Sequence, residues 1–466
     1  MKTLLLITSA VLAATLCLAQ SPGGVSSGLT VWLKPDASGM TPAADGSAVG
    51  TWNDASGLAN HATQATLANQ PQYYNNVFNG NPALKLTSNR FLNIDFSEIN
   101  NTNYTIITVS KRNQATGTLL SMLGTVAGTG LTLFYPSSTV SRHRQYSNWV
   151  SLTIPAYSVS ELPCIMACHF NSTAGKRSWR IYDGVTISRL GSNTTHYAST
   201  GQGRIGRGES SDYFNGYLAE VIVYDRVLTS AETKQIHTYL SVKYGLSVPI
   251  ADHLYPFDAT FQNDVFGIGS STTSNLNQTT SESAGIDDII QVSNPSSLGN
   301  EEYMFCGNDN AATTFGAYVG SSCSVNSIMA RDWKFRQVGD VGTVDVRFDM
   351  TGIAGVTATD LRLLVDLDGD GYDDEILRAG SYSAPYFTVT GVTIPNNARV
   401  TLCQAKDHYY AVASGQSSDA IWSDTQGGAP GFLPGACAAM NITISAGSVV
   451  DNNLATLTCR NFTLEA

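Results

Sequence analysis

Phe214-Asn215-Gly216-Tyr217-Leu218-Ala219-Glu220-Val221-Ile222-Val223-Tyr224-Asp225-Arg226 holds a nearly continuous apolar run, Gly216 to Tyr224, interrupted by one carboxylate. Valine, isoleucine and tyrosine favour extended backbone, and so dense an apolar run fits a largely buried strand. A helix follows it. Thr229-Ser230-Ala231-Glu232 is a capping box, in which hydroxyl and carboxylate satisfy each other's orphan backbone donors. Ile236, Leu240 and Tyr244 then recur at i+4 spacing, Gly245 supplies the stop, and Pro249 closes the unit. The chain thus delivers a buried strand straight into a short helix that covers it.

Outward from this point the pattern is strand and turn. Leu29–Lys34, Thr105–Lys111, Leu131–Tyr135 and Ser178–Tyr182 read as strands separated by Gly, Asn and Ser turns, so residues 28–248 form one unit. Charged residues make up 14% of the chain, against roughly 25% in ordinary soluble proteins. Glycine, serine, threonine and asparagine are abundant, which suits short strands and many turns. The expected fold class is all-β. A net charge of −11 argues against nucleic acid or an anionic membrane surface as partner, and it suits cations or neutral ligands.

The chain opens on Met1-Lys2, an apolar run from Leu4 to Leu18, and Cys17-Leu18-Ala19. Residues 1–19 therefore read as a signal peptide that leaves Gln20 first, and the expected location is secreted or at the cell surface. The run is shorter than the ~20 residues of a membrane span, and no later stretch is long enough, so no membrane insertion is expected. Ala14-Thr15-Leu16 lacks the small residue that precedes a lipidated cysteine. Seven cysteines then remain: Cys164, Cys168, Cys306, Cys323, Cys403, Cys437 and Cys459. In an exported chain they invite disulfides, with one left over. Cys164 and Cys168 with His169 hint at a metal, but one such pair competes with a local disulfide or two buried thiols.

Residues 250–412 form a second β-rich domain. Val344–Asp349, alternating at period two, and Leu361–Val365 look like antiparallel strands, whereas Thr272–Ser283 reads as a loop or hairpin. Residues 413–466 begin as a Gly/Ser/Pro-rich linker up to Pro434. Asn441–Ile444 and Thr456-Leu457-Thr458 then look like the first strands of a further β-rich segment, such as a β-helix rung. That pattern is just starting at Ala466, so the chain is expected to continue.

Three spaced motifs carry a family resemblance: Val31-Trp32-Leu33-Lys34-Pro35-Asp36, then Trp52-Asn53-Asp54-Ala55-Ser56-Gly57-Leu58-Ala59-Asn60-His61-Ala62, then Phe214 to Arg226 with the helix through Tyr244-Gly245. In this order they resemble the concanavalin A-like, LamG-type jelly rolls of bacterial surface proteins. The resemblance implies a jelly-roll sandwich over 28–248 that binds extracellular carbohydrate or a matrix component. Residues 250–412 resemble an uncharacterised β-sandwich-like domain that follows such jelly rolls. Its marks are Asn263 to Gly269, Leu276-Asn277-Gln278, Arg331-Asp332-Trp333-Lys334 and Leu363 to Gly371. That family brings no activity with it.

Asp366-Leu367-Asp368-Gly369-Asp370-Gly371-Tyr372-Asp373-Asp374-Glu375 sets carboxylates at alternate positions of a Gly-permitted turn, the arrangement that converges oxygens on calcium. Asp366, Asp368, Asp370, Tyr372 (through its carbonyl) and Asp374 are the candidate ligands. Leu377 stands where an EF-hand needs glutamate, so the loop is EF-like at most, and an ion-free acidic hairpin competes with it. Asp54 and Asn60 flank Gly57 in a polar loop of the kind that holds calcium in LamG-like relatives, with Glu220 in support. Equally, they cap a turn through their own backbone.

Trp149, Tyr146 and Arg144 are the candidate ligand-binding residues, in a stretch with Arg142 and His143, whereas Trp32 and Trp52 read as core. A half-buried structural tryptophan is the competing reading of Trp149. Asn93-Ile94-Asp95-Phe96-Ser97-Glu98 resembles the E-x-D-x-x-E strand of retaining β-glucanases, but Asn93 takes the nucleophile's place. No G-x-S-x-G elbow between a strand and a helix, H-E-x-x-H or Walker motif occurs. No catalytic residue is assigned, and the expectation is a non-catalytic binding protein. A structural segment of a larger adhesin and a polysaccharide-active enzyme are the alternatives.

Overall fold

A computed structural model describes residues 20–465 apart from 37–38, 127–128, 160, 197–198, 211, 256, 286, 319–324, 368–370, 373–376, 407, 418–419, 424–425, 431–440 and 452–460. The expected signal segment therefore lies outside the described residues. The fold class is all-β, and Ser230–Tyr244 is the one α-helix among the described residues.

Gly216–Tyr224 runs through the interior of the larger sheet of an antiparallel two-sheet sandwich. It pairs with Tyr104–Arg112, Asn81–Leu86 and Leu29–Leu33. Cys164–Asn171, Gly175–Tyr182 and Val185–Gly191 extend the sheet one way, and Gln72–Phe78 and Ser47–Ala48 the other. The smaller sheet runs, in order, Asn148–Thr153, Val140–Gln145, Leu131–Ser137, Gly117–Gly124, Ser199–Ile205, Leu92–Asp95, Ala62–Thr63 and Thr51–Trp52. Val221, Val223, Leu84, Ile106 and Met166 face Leu92, Ile94, Leu120 and Leu133 across the gap.

The central strand is buried on its other side too. Ile222, Tyr224, Trp32, Ala83 and Val109 pack under Ile236, Tyr239 and Leu240 of the helix. The helix begins on the expected capping box, with Gly245 closing it at φ 65°. Arg226 clasps the Glu232 carboxylate at 2.7 and 2.9 Å. That contact and the Thr229 donors hold its pKa down at about 2. The register shifts between Leu218 and Glu220, a bulge that re-aims a side chain, and Glu220 meets the helix.

The fully buried Glu220 takes donors from Trp32 Nε1 at 2.6 Å, Tyr244 OH at 2.7 Å, Tyr239 OH at 3.0 Å and Lys243 Nζ at 3.0 Å. Lys243 also reaches Asp36 at 2.9 Å, and Lys34 lies 3.7 Å from Asp36 and 4.0 Å above the Trp32 ring. Burial opposes the charge of Lys243, yet Glu220, Tyr244 and Asp36 together outweigh it and drive its pKa up. Lys34 feels burial and then Lys243, and falls to about 8. The two core tryptophans match expectation, since Trp32 and Trp52 are both fully buried.

The helix is also a wall of the next domain. Leu276, Tyr303 and Phe305 join its cluster, so the chain continues through a shared apolar layer rather than a linker at Pro249. Asn79 stitches the seam. Its amide donates to the Val242 and Ser281 oxygens at 3.1 and 3.0 Å, and its carbonyl accepts from Glu282 N at 3.0 Å.

The second domain pairs a nine-stranded sheet with a five-stranded one around Phe266, Trp333, Phe335, Val346, Phe348 and Leu402. Thr343–Asp349 and Leu361–Asp366 fall in different sheets. Within Thr272–Ser283 the chain forms two short strands, Leu276–Gln278 and Thr280–Glu282. The polar tract is ordered because Asn79 and Asn81 of the first domain bond to it.

Beyond it, His408–Ala411, Asn441–Ile444 and Asn461–Leu464 stack in parallel, in register. The stretch expected to be a linker contains Trp422, fully buried against Tyr409 and Ile442. Residues 456–458 lie outside the described set.

Cys164, Cys168, Cys306 and Cys403 are buried free thiols, so the expected disulfides are not formed by these four. Cys164 and Cys168 are four residues apart on one strand, roughly 13 Å at 3.3 Å per residue, beyond the reach of a bridge. Cys323, Cys437 and Cys459 lie outside the described residues.

Breaking a buried, hydrogen-bonded ion pair by removing one partner costs about 3–5 kcal/mol. Glu220→Gln is therefore expected to lower unfolding stability by about 3 kcal/mol or more in urea titration. An unchanged midpoint would show that the knot contributes nothing.

Candidate functional site

Strand alternation turns one side chain of each pair inward and the next outward, and on the smaller sheet the outward positions line up. Thr51, Thr63, Asn93, Arg204, Ser121, Thr132, Arg144 and Trp149 are successive register partners across all eight strands. At ~4.8 Å between strands this row is roughly 34 Å long. Arg142, Ser151 and Phe134 stand beside its far end, and Asp95 and Gln202 beside its near end.

The three predicted ligand residues sit together at the far end. Trp149 is 54% exposed and Tyr146 is 44% exposed. The Arg142 guanidinium lies 5.4 Å from the Trp149 ring centre and donates to Ser151 Oγ at 2.9 Å. Arg144 bonds Thr132 Oγ1 at 3.1 Å and pairs with Glu209 at 3.1 Å. His143 faces the other way. It is fully buried against Tyr104 OH at 2.8 Å, and burial, then Lys176 and His169, press its pKa well down.

Tyr146 and Ser147 form the two-residue turn between Gln145 and Asn148, both at positive φ, 50° and 54°. This is the left-handed backbone that such hairpins fill with Asn-Gly. A tyrosine and a serine held there store strain, a recurrent mark of sites kept for contact.

Arg207, Gly208 and Asp212 lie against the middle of the row. Ser121 Oγ donates to the Arg207 carbonyl at 2.7 Å, Thr118 to Asp212 at 2.5 Å, and Arg204 to the Gly208 carbonyl at 3.1 Å. They separate the tryptophan shelf from a groove of about 320 Å³ lined by His61, Thr63, Asn93, Asp95, Gln202 and Arg204. Sequence reasoning named none of these six as ligand contacts. Alternation in each strand was visible, but not which strands would be neighbours.

Asp95 caps Ser97 N at 2.9 Å, whereas Glu98 lies in the following turn and accepts from Asn60 Nδ2 at 3.0 Å. Asp54 spends both oxygens on its own surroundings. Oδ1 accepts from Trp32 N and Ser56 N at 2.8 and 2.9 Å, and Oδ2 from Ser56 Oγ and Asn60 N at 2.6 and 3.0 Å. The Asn60 amide is taken up by the Thr30 carbonyl and Glu98. These two residues build the loop, and their donors leave a cation poorly served. Glu220, expected to support them, is turned to the helix instead.

In the acidic loop, Asp366 is fully buried and gripped through Oδ2 by Arg399 at 2.6 and 2.9 Å. Tyr372 packs under the same guanidinium, 5.6 Å away. Asp368, Asp370 and Asp374 lie outside the described residues. Among the described residues no group of three or more His, Cys, Asp or Glu is arranged to hold a metal.

Residues 232–398 match a family described as a domain of unknown function, DUF8202, and the match begins inside the helix shared by the two domains. No curated protein matches the chain. Several solved structures match the chain at a distance. A GH54 α-L-arabinofuranosidase is 12% identical, with 41% of this chain and 50% of that one covered and a TM-score of 0.34. Domain 4 of AbnA, a GH43 extracellular arabinanase from Geobacillus stearothermophilus, is 14% identical, with 45% and 98% covered and a TM-score of 0.33. The binding domain of Paraclostridial Mosquitocidal Protein 1 is 10% identical, with 78% and 91% covered and a TM-score of 0.36. The chain thus spans half the length of the arabinofuranosidase, and none of these superpositions is close enough to carry function.

Relieving the strained turn has a definite sign. Tyr146→Asn with Ser147→Gly is expected to raise thermal unfolding stability by about 1 kcal/mol or more, because both residues tolerate the left-handed backbone. A loss of stability on calorimetry would mean that the native side chains are held by contacts rather than by strain.

Proposed function

We propose that the chain is an exported, non-catalytic surface protein whose first sandwich, a LamG-like jelly roll, binds extracellular carbohydrate or a matrix glycan along the outward row of its smaller sheet. The observation that carries this is the row itself. Thr51, Thr63, Asn93 and Arg204 offer hydroxyl, amide and guanidinium groups at one end, and Arg144 with an exposed Trp149 backed by Arg142 stands at the other, while Ser121 and Thr132 between them are buried. Ring faces stack on the apolar faces of sugars while flanking polar groups take the hydroxyls, so an aromatic ending a polar row suits an extended glycan lying across the strands.

Calcium belongs to the proposal at the acidic loop, Asp366 to Asp374, rather than at Asp54. The support is the alternating carboxylates and the glycine turn. Bound there, the ion would stiffen the edge of the second domain by binding only its folded form.

A second reading is favoured by the parallel stack at 408–464. Strands that repeat in register build a stalk, and on this reading the chain is a structural segment whose first domain holds no ligand.

The test is a glycan screen with the chain from Gln20 onward. Trp149→Ala is expected to weaken the best glycan at least tenfold, about 1.4 kcal/mol, without moving the melting temperature. Equal binding by wild type and Trp149→Ala would remove the row from consideration, and no binding to any glycan would favour the stalk. For calcium, chelator is expected to lower the melting temperature of the wild type but not of Asp368→Ala/Asp370→Ala, which leaves the Asp366–Arg399 pair intact. A response in the double variant would place the ion elsewhere.

A further inference from the structure

The middle of the larger sheet's outer face is covered by the helix. Another register row runs across the same sheet: Gln72, Lys85, Tyr217 and Lys111 are neighbours on four adjacent strands. Two lysines thus flank one tyrosine, roughly 10 Å apart across two strand spacings. Tyr74 stands edge-on to Tyr217, ring centres 5.9 Å apart at 90°, with the Lys85 ammonium 5.3 and 5.6 Å from the two rings.

Tyr74, Tyr217 and Lys111, with Asn75, Asn76 and Leu162, border a groove of about 460 Å³ that no acidic residue lines, and Lys85 stands beside it against the two tyrosine rings. Among the described residues neither lysine is ion-paired, although the chain carries 37 acidic and 26 basic residues. The nearby Glu161 is already taken, by Arg112 at 2.6 Å and Arg180 at 2.5 Å. Asp45, which reaches the groove's lining, is held by Asn75 at 2.7 Å rather than by either lysine.

We propose that this groove is a second binding site, for an acidic polysaccharide: a pyranose chain carrying carboxylate or sulfate groups. The tyrosine faces and the asparagine amides suit the ring and hydroxyls of a sugar. The lysines are compact point charges that suit repeated anionic groups. Two cations set apart across a ring fit a chain with recurring charges better than one small anion. The site lies on the other sheet from Trp149 and does not depend on a glycan being held there.

The experiment is affinity electrophoresis of the chain from Gln20 onward through polygalacturonate, dextran sulfate, neutral dextran and polyglutamate. Retardation is expected with one or both acidic glycans and not with neutral dextran. It should fade as salt rises from roughly 20 to 500 mM. Lys85→Gln/Lys111→Gln should weaken it about tenfold, and Trp149→Ala should leave it unchanged. The carboxylate and sulfate gels decide which group is read. If the double variant unfolds, Lys111→Gln alone should still weaken retardation. No retardation by either acidic glycan, or undiminished retardation of a folded lysine variant, would overturn the site. Retardation by polyglutamate as strong as by the glycans would overturn its preference for sugar.

Discussion

A carboxylate cut off from water must be answered by its neighbours, and Glu220 is answered by four side chains from two parts of the chain. Trp32 belongs to the first strand, Tyr239, Lys243 and Tyr244 to the helix, and the bulge after Leu218 aims the acid at them. Apolar packing alone would let a helix slide over a sheet, because dispersion is weakly directional. A charge-assisted knot has one geometry. It fixes the helix on the sandwich, and with it the surface that Leu276, Tyr303 and Phe305 of the second domain pack against.

Much of the fold could be read in the sequence because the signals were local. The capping box, the apolar run and the period-two strands are settled within a dozen residues, and the structure has them within a residue or two at most boundaries. The seam between domains was hidden. Pro249 looks like an ending, and Thr272–Ser283 looks like a loop, because what orders that tract is Asn79, some two hundred residues earlier. Trp422 was likewise disguised by its Gly- and Ser-rich surroundings.

The candidate site was legible in part for the same reason. Trp149, Arg144 and Tyr146 are neighbours through one hairpin, so a single stretch of sequence contained them. Asn93, Arg204, Gln202 and His61 come to the same face only through strand order. His143 shows the converse. It shares the stretch but points into the core, where alternation put it. Asp54 and Glu220 illustrate how an acid suggestive of a ligand is consumed when the surrounding backbone and aromatic donors reach it first.

The pairing of Leu29–Leu33 with Gly216–Tyr224 bears on when the protein can fold at all. The first strand of the sandwich finds its partner some 190 residues downstream, and the helix that seals them follows the partner. Pairings of such separation form late, since the loop they close is long and gives nothing back until the ends meet. A chain emerging from its N-terminus holds no completed sandwich until Tyr244 is free, and no finished seam until Phe305 is. Throughout that interval local hairpins such as those between 131 and 153 can pair, while the first strand waits for the partner that closes the sandwich.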